Sequence, residues 1–252
     1  APLRTPELGW PLRIAVAFAA APECRYHHLV MAITRQVIMT DSTHTRFILV
    51  RHGQTEWNRI ERFRGRFDVP LNETGLAQAA ATGRRIAAGW QPAAVYASPL
   101  SRATVTAQAI AAHFDLPVLP LDGLVDIDYG DWQGLTPEEA RGRWPDRVDA
   151  WYAAPETVHI PRGESLGDLR GRATAAIAGL VARHPGQTLV LVSHTVVNRV
   201  ILLAVLGLGN DRFWRLRQDN CAINVFEADG DDFTLVTMND TCHLAHIAPA
   251  AG

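Results

Sequence analysis

The chain contains no lysine: its 24 Lys-plus-Arg positions are all arginine. That absence removes Schiff-base chemistry and the lysine-dependent phosphate loop of nucleotide-binding proteins, both of which need a primary amine. What arginine keeps is bidentate recognition of phosphate or carboxylate. Cysteine is scarce too. Cys24, Cys221 and Cys242 are odd in number and lack CxxC spacing, so neither a disulfide framework nor a zinc site is indicated, and a cytoplasmic location is expected. No apolar run reaches the length of a membrane span. No Gly/Ser- or Pro-rich linker divides the 252 residues, which suffice for one large α/β domain. A formal net charge of −2 gives no reason to expect a nucleic-acid or membrane partner.

Residues 1–45 differ in texture from the rest. They show no clear amphipathic period, and "IAVAFAAA" after Arg13 has the shortness and poor flanks of a failed signal-peptide core. They are read as an extension outside the core fold, upstream of a start at Met31 or Met39, with residues 46–252 as the folded domain.

From Arg46 onward short apolar runs alternate with helical patterns. "RFILV" (46–50), "AAVYAS" (93–98) and "TLVLVS" (188–193) read as buried strands. A helix is expected after Asn72 as N-cap, with Leu76, Ala79, Ala80, Gly83, Ile86 and Ala87 on its inner face. Others are expected from Ser101 to His113, from Ser165 to Arg183, and over "VVNRVILLAVLG". The tail "AINVFEADGDDFTLVTMN" reads as a hairpin around "DGDD". Strands alternating with helices predict a three-layer α/β/α sandwich around a mostly parallel central sheet, with ligands bound beyond the carboxyl ends of the strands.

Three of those ends carry reactive residues: Arg51–His52, Ser98–Arg102 and Ser193–His194. A lone histidine after a strand is usually structural. Two such histidines sharing a crevice with two arginines suit an anionic tetrahedral ligand, phosphate foremost. The motif "RHGQTEWN" resembles the signature of the histidine phosphatase superfamily, the phosphoglycerate mutase-like fold. The resemblance continues in order through "GRFDVPLNETGLAQA", "ASPLSRATVTA", "DIDYGDWQGLT", "PRGESLGDLRGR", "LVLVSHTVVNR" and "MNDTCHL", spanning residues 46 to 245.

The resemblance implies that His52 is the nucleophile that forms a phosphohistidine. Arg51, Arg102 and His194 would surround the phosphoryl group, Asn58 would add a hydrogen bond, and Gly65 and Thr195 would line the substrate side. A neutral imidazole attacks through one nitrogen only if the other donates to a fixed acceptor. Fixed cations would neutralise the phosphoryl oxygens, so no metal and no cofactor are expected. Where the family carries a glutamate as general acid, this chain has Asp126, one methylene shorter. Asp128 is the rival, because alternation along an extended "DIDY" points both carboxylates to one side; its plainer role is in a turn.

Two further departures from the family pattern bear on the site. Thr195 replaces a usual glycine, its hydroxyl available as a helix cap. Arg64 stands where glutamine is common and is read as a solvated surface charge in preference to an extra anion contact. Trp144, Trp151, Tyr152, Arg141, Arg143 and His159 are candidates for a wall over the crevice, although aromatics at helical spacing are more often core. Glu164 either orients an active-site arginine or caps the next helix. The short stretch between Asp126 and His194 and the sequence "HTVVNR" favour a phosphatase over a phosphoglycerate mutase, and either over a non-catalytic binding module. The expected partner is a small phosphoester, with a homodimer across a sheet edge open to the chain.

Overall fold

The computed structural model describes residues 44–247. Of the segment read as an extension, residues 1–43 lie outside them. The first strand, β1 (Thr45–Arg51), is apolar on both sides and is covered on both sides. Ile48 and Val50 pack into one cluster, with Ile86, Ala103, Ala107 and Ile110. Phe47 and Leu49, on the opposite pleat, pack into a second cluster with Ile177, Leu180, Val197, Ile201 and Phe226. Each fully buried Val, Leu or Ile contributes ~1.5–3 kcal/mol, which is what makes the sheet a rigid mount.

The remaining strands are β2 (Ala94–Ala97), β3 (Val118–Pro120), β4 (Thr188–Ser193), β5 (Ile223–Asp229) and β6 (Asp232–Asp240). They form one sheet in the order β3-β2-β4-β1-β5-β6. The pairs β1–β4, β2–β4 and β2–β3 are parallel, and the hairpin β5–β6 closes one side antiparallel to β1. Strand β3 runs from Val118 to Pro120 at the edge of the sheet, where a proline is tolerated but disguises the strand in the sequence.

The helices are α1 (Glu56–Arg59), α2 (Glu73–Gly89), α3 (Ser101–Ala111), α4 (Pro137–Arg143), α5 (Pro145–Ala153), α6 (Leu166–Arg183) and α7 (Thr195–Val205). Residues of α2 and α3 cover the Ile48 face, and residues of α6 and α7 cover the Phe47 face. The outcome is the expected three-layer sandwich. Asn72 caps α2 by accepting from the Gly75 N–H at 2.9 Å, and Ser165 caps α6 through a reciprocal capping box with Asp168. The inner face of α2 differs from the expected one. It buries Gly75, Ala79, Ala81, Thr82, Gly83 and Ile86, whereas Leu76 is 50% exposed. Gly75 sets this rotation: its Cα lies so close to the Gln54 backbone that any Cβ there would collide with it. Among the described residues, no helix is long and apolar enough to cross a membrane.

Candidate active site

Strands β1 and β4 end level with one another, Arg51 being in register with Ser193. The next residue of each therefore enters the same space, and the His52 and His194 rings lie with centroids 5.1 Å apart. Beyond the end of β2, helix α3 brings Arg102 alongside: its Nε is 3.2 Å from the His194 Nδ1. All three side chains are fully buried.

The protonation of both rings follows from their partners. His52 Nδ1 lies 2.7 Å from the Gly53 carbonyl oxygen, an acceptor only, so Nδ1 carries the hydrogen. Nε2 is left with a lone pair and no partner. Burial, and after it the charges of Arg102, Arg51 and Arg64, hold the His52 pKa well below the ordinary histidine value, so the ring is neutral. For His194 the logic reverses. Arg102 can only donate, so Nδ1 is the acceptor and Nε2–H donates to the Ser98 Oγ at 2.8 Å. Both His194 nitrogens are thus engaged, and a ligand contact through either requires that one bond be exchanged.

Arg102 is similarly committed. Its Nη1 donates to the Phe67 carbonyl and its Nη2 to the Gly65 carbonyl, both at 2.8 Å. Nη2 also lies 3.2 Å from Asp126 Oδ2. One Nη1 hydrogen remains for a ligand. Gly65 has φ +51°, and a Cβ there would sit 2.5 Å from Gln133 Oε1, so glycine is required; its carbonyl serves to anchor Arg102. Arg51 donates from Nη1 to the Gln218 carbonyl at 2.7 Å, while its Nε has no partner. Burial foremost, then repulsion by Arg64 and Arg199, lowers its pKa to about 9, which leaves it charged at neutral pH.

Asp126 and Asp128 separate cleanly. Asp126 is buried, with Oδ2 on Arg102 and 3.7 Å from His194 Nδ1, and Oδ1 accepting from the Ile127 N–H. Burial raises its pKa against the opposing pull of Arg102 and Arg64, which favours the protonated acid. Asp128 points elsewhere: Oδ1 accepts from the Gly130 N–H at 2.8 Å, a turn contact, and Oδ2 pairs with the exposed Arg66.

Other expectations change. Asn58 Oδ1 accepts from the backbone and hydroxyl of Thr55, so only its amide nitrogen could donate to a ligand. The Thr195 hydroxyl does not cap α7, whose N-cap is His194; it is buried without any partner at the helix N-terminus, where backbone N–H groups favour an anion. Arg64 is not a solvated surface charge. It is half-buried, donates from Nη1 to the Trp57 carbonyl at 3.0 Å, and leaves Nε buried and unpartnered. Its charge acts on Arg51, His52, Arg102, Asp126 and His194. Glu164 neither caps α6 nor reaches an active-site arginine; it grips Arg172 through both oxygens, at 2.8 and 3.0 Å. Arg172 in turn donates to the carbonyls of Gly123, Val125 and Asp126, which fixes the loop that carries the acid. Of the imagined wall, Trp151 is core, Arg141 pairs with Asp149, and His159 lies 3.7 Å from Asp168.

Sequence reasoning gave no role to Arg172 or Arg199, and placed Ser98 at a reactive strand end without a partner. Ser98 shows itself only as the polar residue that ends a buried strand, and Arg199 only by its place four residues after Thr195, on the same side of α7. Among the described residues, no group of three or more His, Cys, Asp or Glu is placed to hold a metal ion.

Residues 47–241 match the family profile of the histidine phosphatase superfamily (branch 1). The chain is similar to phosphoserine phosphatase 1 of Hydrogenobacter thermophilus, 34% identical over 199 residues that cover 79% of this chain and 94% of the relative. It is also similar to a metal-independent phosphoserine phosphatase of Arabidopsis thaliana, 31% identical over 212 residues, covering 83% and 87%. Among solved structures, a mycobacterial glucosyl-3-phosphoglycerate phosphatase aligns with a TM-score of 0.72 at 29% identity, over 79% of this chain and 100% of that one.

Proposed function

The chain belongs to the histidine phosphatase superfamily and is a phosphomonoester hydrolase of small metabolites; from that premise we propose that His52 takes up the phosphoryl group. One observation carries the proposal. His52 Nε2 is a buried lone pair on a neutral ring, partnerless among arginines, with its other nitrogen locked to a carbonyl. It attacks phosphorus in line; the P–O bond of the ester breaks as the N–P bond forms. Asp126, whose protonated form burial favours, gives its proton to the departing alkoxide. As a carboxylate it then takes a proton from water, which breaks the N–P bond and releases phosphate. Arg51, Arg64 and the free Nη1 hydrogen of Arg102 supply the charge that a metal would otherwise supply, and the Asn58 amide and the Thr195 hydroxyl add hydrogen bonds.

The relatives named for phosphoserine make that metabolite the first to try. Radiolabelled substrate, mixed rapidly with the enzyme in a chelator and quenched in base to preserve phosphohistidine, is expected to leave its label on the His52 peptide. Label on another side chain, or activity that needs a divalent ion, overturns the proposal. A phosphoglycerate mutase would interconvert two phosphoglycerates faster than it released phosphate; the opposite ratio is expected here. The cytoplasm is proposed as its compartment because Cys221 and Cys242 are free. A homodimer is proposed along β6, which ends the sheet and exposes Val236 and Met238; light scattering on the full chain decides it.

A further inference from the structure

The tautomer of the nucleophile hangs on a glycine. The Gly53 carbonyl that takes the His52 Nδ1 hydrogen at 2.7 Å belongs to a residue whose φ and ψ no side chain restricts. Glycine is obligatory there, because a Cβ would stand 2.5 Å from the Gly75 oxygen. The turn therefore cannot be stiffened from within, and the two peptide groups that flank Gly53 have to be held from outside.

The first of them, His52–Gly53, is held at both ends. Its carbonyl accepts from the Asn220 side chain at 3.1 Å and from the Cys221 N–H at 3.3 Å. Its N–H donates to the Thr106 hydroxyl at 3.1 Å. Thr106 is fully buried on α3, one turn after Arg102, and gives its own hydrogen to the Arg102 carbonyl at 2.7 Å. A helical threonine commonly bonds back four residues in this way. What sets Thr106 apart is that its lone pair serves the turn that carries the nucleophile.

The second peptide, Gly53–Gln54, carries the carbonyl that faces His52. At its other end the Gln54 N–H donates at 2.9 Å to Oε1 of Gln78, on α2. In a trans peptide the C=O and N–H point in opposite directions, so an acceptor fixed on the N–H side sets where the oxygen aims. The same bond polarises the carbonyl and makes it a better acceptor for the imidazole. Gln78 thus reaches the nucleophile through a single peptide plane.

We propose that Gln78 and Thr106 are positioning residues: by anchoring the peptides on either side of Gly53 they hold His52 as the Nδ1–H tautomer, with the Nε2 lone pair aimed at phosphorus. The inference rests on the phosphatase reading above, in which Nε2 attacks. The arginines bind a phosphoryl group whichever way the ring is turned, so the two anchors act on the rate of transfer and leave phosphate affinity alone.

Gln78→Met keeps the length of the side chain and removes the acceptor, and Gln78→Glu restores an acceptor. The single-turnover rate of p-nitrophenolate release from p-nitrophenyl phosphate is expected to fall ~10–100-fold in Gln78→Met, as misplacement of a reacting group does. It is expected to recover in Gln78→Glu, with competitive inhibition by inorganic phosphate unchanged in both. Thr106→Val and Thr106→Ser form the same pair if Gln78→Met does not fold. A second readout is 15N NMR of histidine-labelled protein, with His52 assigned by the loss of its signals in His52→Ala. The wild type is expected to show two widely separated His52 nitrogen resonances, one protonated and one not; in Gln78→Met they converge as the tautomers exchange. A slower variant with the wild-type spectrum would make these residues scaffold and overturn the inference, as would a variant with the wild-type rate. Wild-type resonances that lie together would overturn it too, while the phosphatase reading stood. A wild type that hydrolyses no phosphomonoester would overturn both, a failure told apart because the spectrum needs no turnover.

Discussion

Two arginines in this molecule are treated in opposite ways. Arg172 spends its guanidinium on protein: both oxygens of Glu164 and three backbone carbonyls take its donors. Arg51, although more deeply buried, makes one hydrogen bond, to a carbonyl, and leaves its Nε bare. Burying a donor without an acceptor costs ~1–3 kcal/mol, so a fold that leaves several such donors in one place is holding them for something absent from the chain. Satisfied polar groups mark the frame, and unsatisfied ones mark the place where a ligand completes the network.

This contrast can be broken by experiment. The largest effect is expected at His52, whose removal as His52→Ala should lower turnover by ~10⁴-fold or more. The same variant should melt closer to the wild type than Arg172→Ala does. Asp126→Asn comes next. Turnover on alkyl phosphates should fall ~10²–10⁴-fold, with a smaller loss on p-nitrophenyl phosphate, whose leaving group needs no proton. The alkaline limb of the pH–rate profile, which the raised Asp126 pKa sets, should disappear with it. Equal losses on both substrates would remove Asp126 as proton donor. Arg172→Ala belongs to the frame: a loss of ~2 kcal/mol is expected, read as a fall in Tm of about 4–8 °C. A variant that melts like the wild type would erase the distinction between frame and site.

The smallest effect is a pH dependence of stability. Burial holds the folded pKa values of His52 and His194 below 6.5, so under pH 6.5 the unfolded chain binds protons that the folded chain refuses. Their contribution is complete above that pH and is lost as pH falls. Asp126 works the other way, because its raised pKa favours the folded state at low pH. Comparing wild type with His194→Asn isolates one histidine. Between pH 7 and pH 6 the wild type should lose on the order of 0.5–1 kcal/mol relative to the variant in urea unfolding. Parallel curves would mean that His194 takes up its proton in the folded protein as readily as in the unfolded chain.

The sheet and its reactive ends were legible because apolar runs of strand length and the residues that follow them are local facts. His52, Arg102 and His194 meet because β1, β4 and β2 are neighbours, a consequence of the alternating pattern. What was not legible depends on side chains reaching across the chain. Arg64 looks like any exposed arginine until its neighbours are known. Asp126 and Asp128 are equivalent in an alternating strand; they diverge because the chain turns at Gly130, which has φ +44° and takes the Asp128 carboxylate. Periodicity places Leu76 in the core because it does not register that the neighbouring Gly75 must press against the Gln54 backbone, which turns Leu76 outward. The idle hydroxyl of Thr195 likewise follows from His194 taking the N-cap position.

That close approach has a consequence of its own. Gly53, whose carbonyl fixes the His52 tautomer, faces Gly75 so tightly that a Cβ on Gly53 would stand 2.5 Å from the Gly75 oxygen. The two glycines interlock, one at the catalytic turn and one in a helix with no chemistry. A methyl group added to Gly75 would tilt the imidazole without touching the pocket. A mutational screen scored only by activity would therefore rank Gly75 with the reacting residues, and only a parallel readout of folding would tell the hinge pin from the blade.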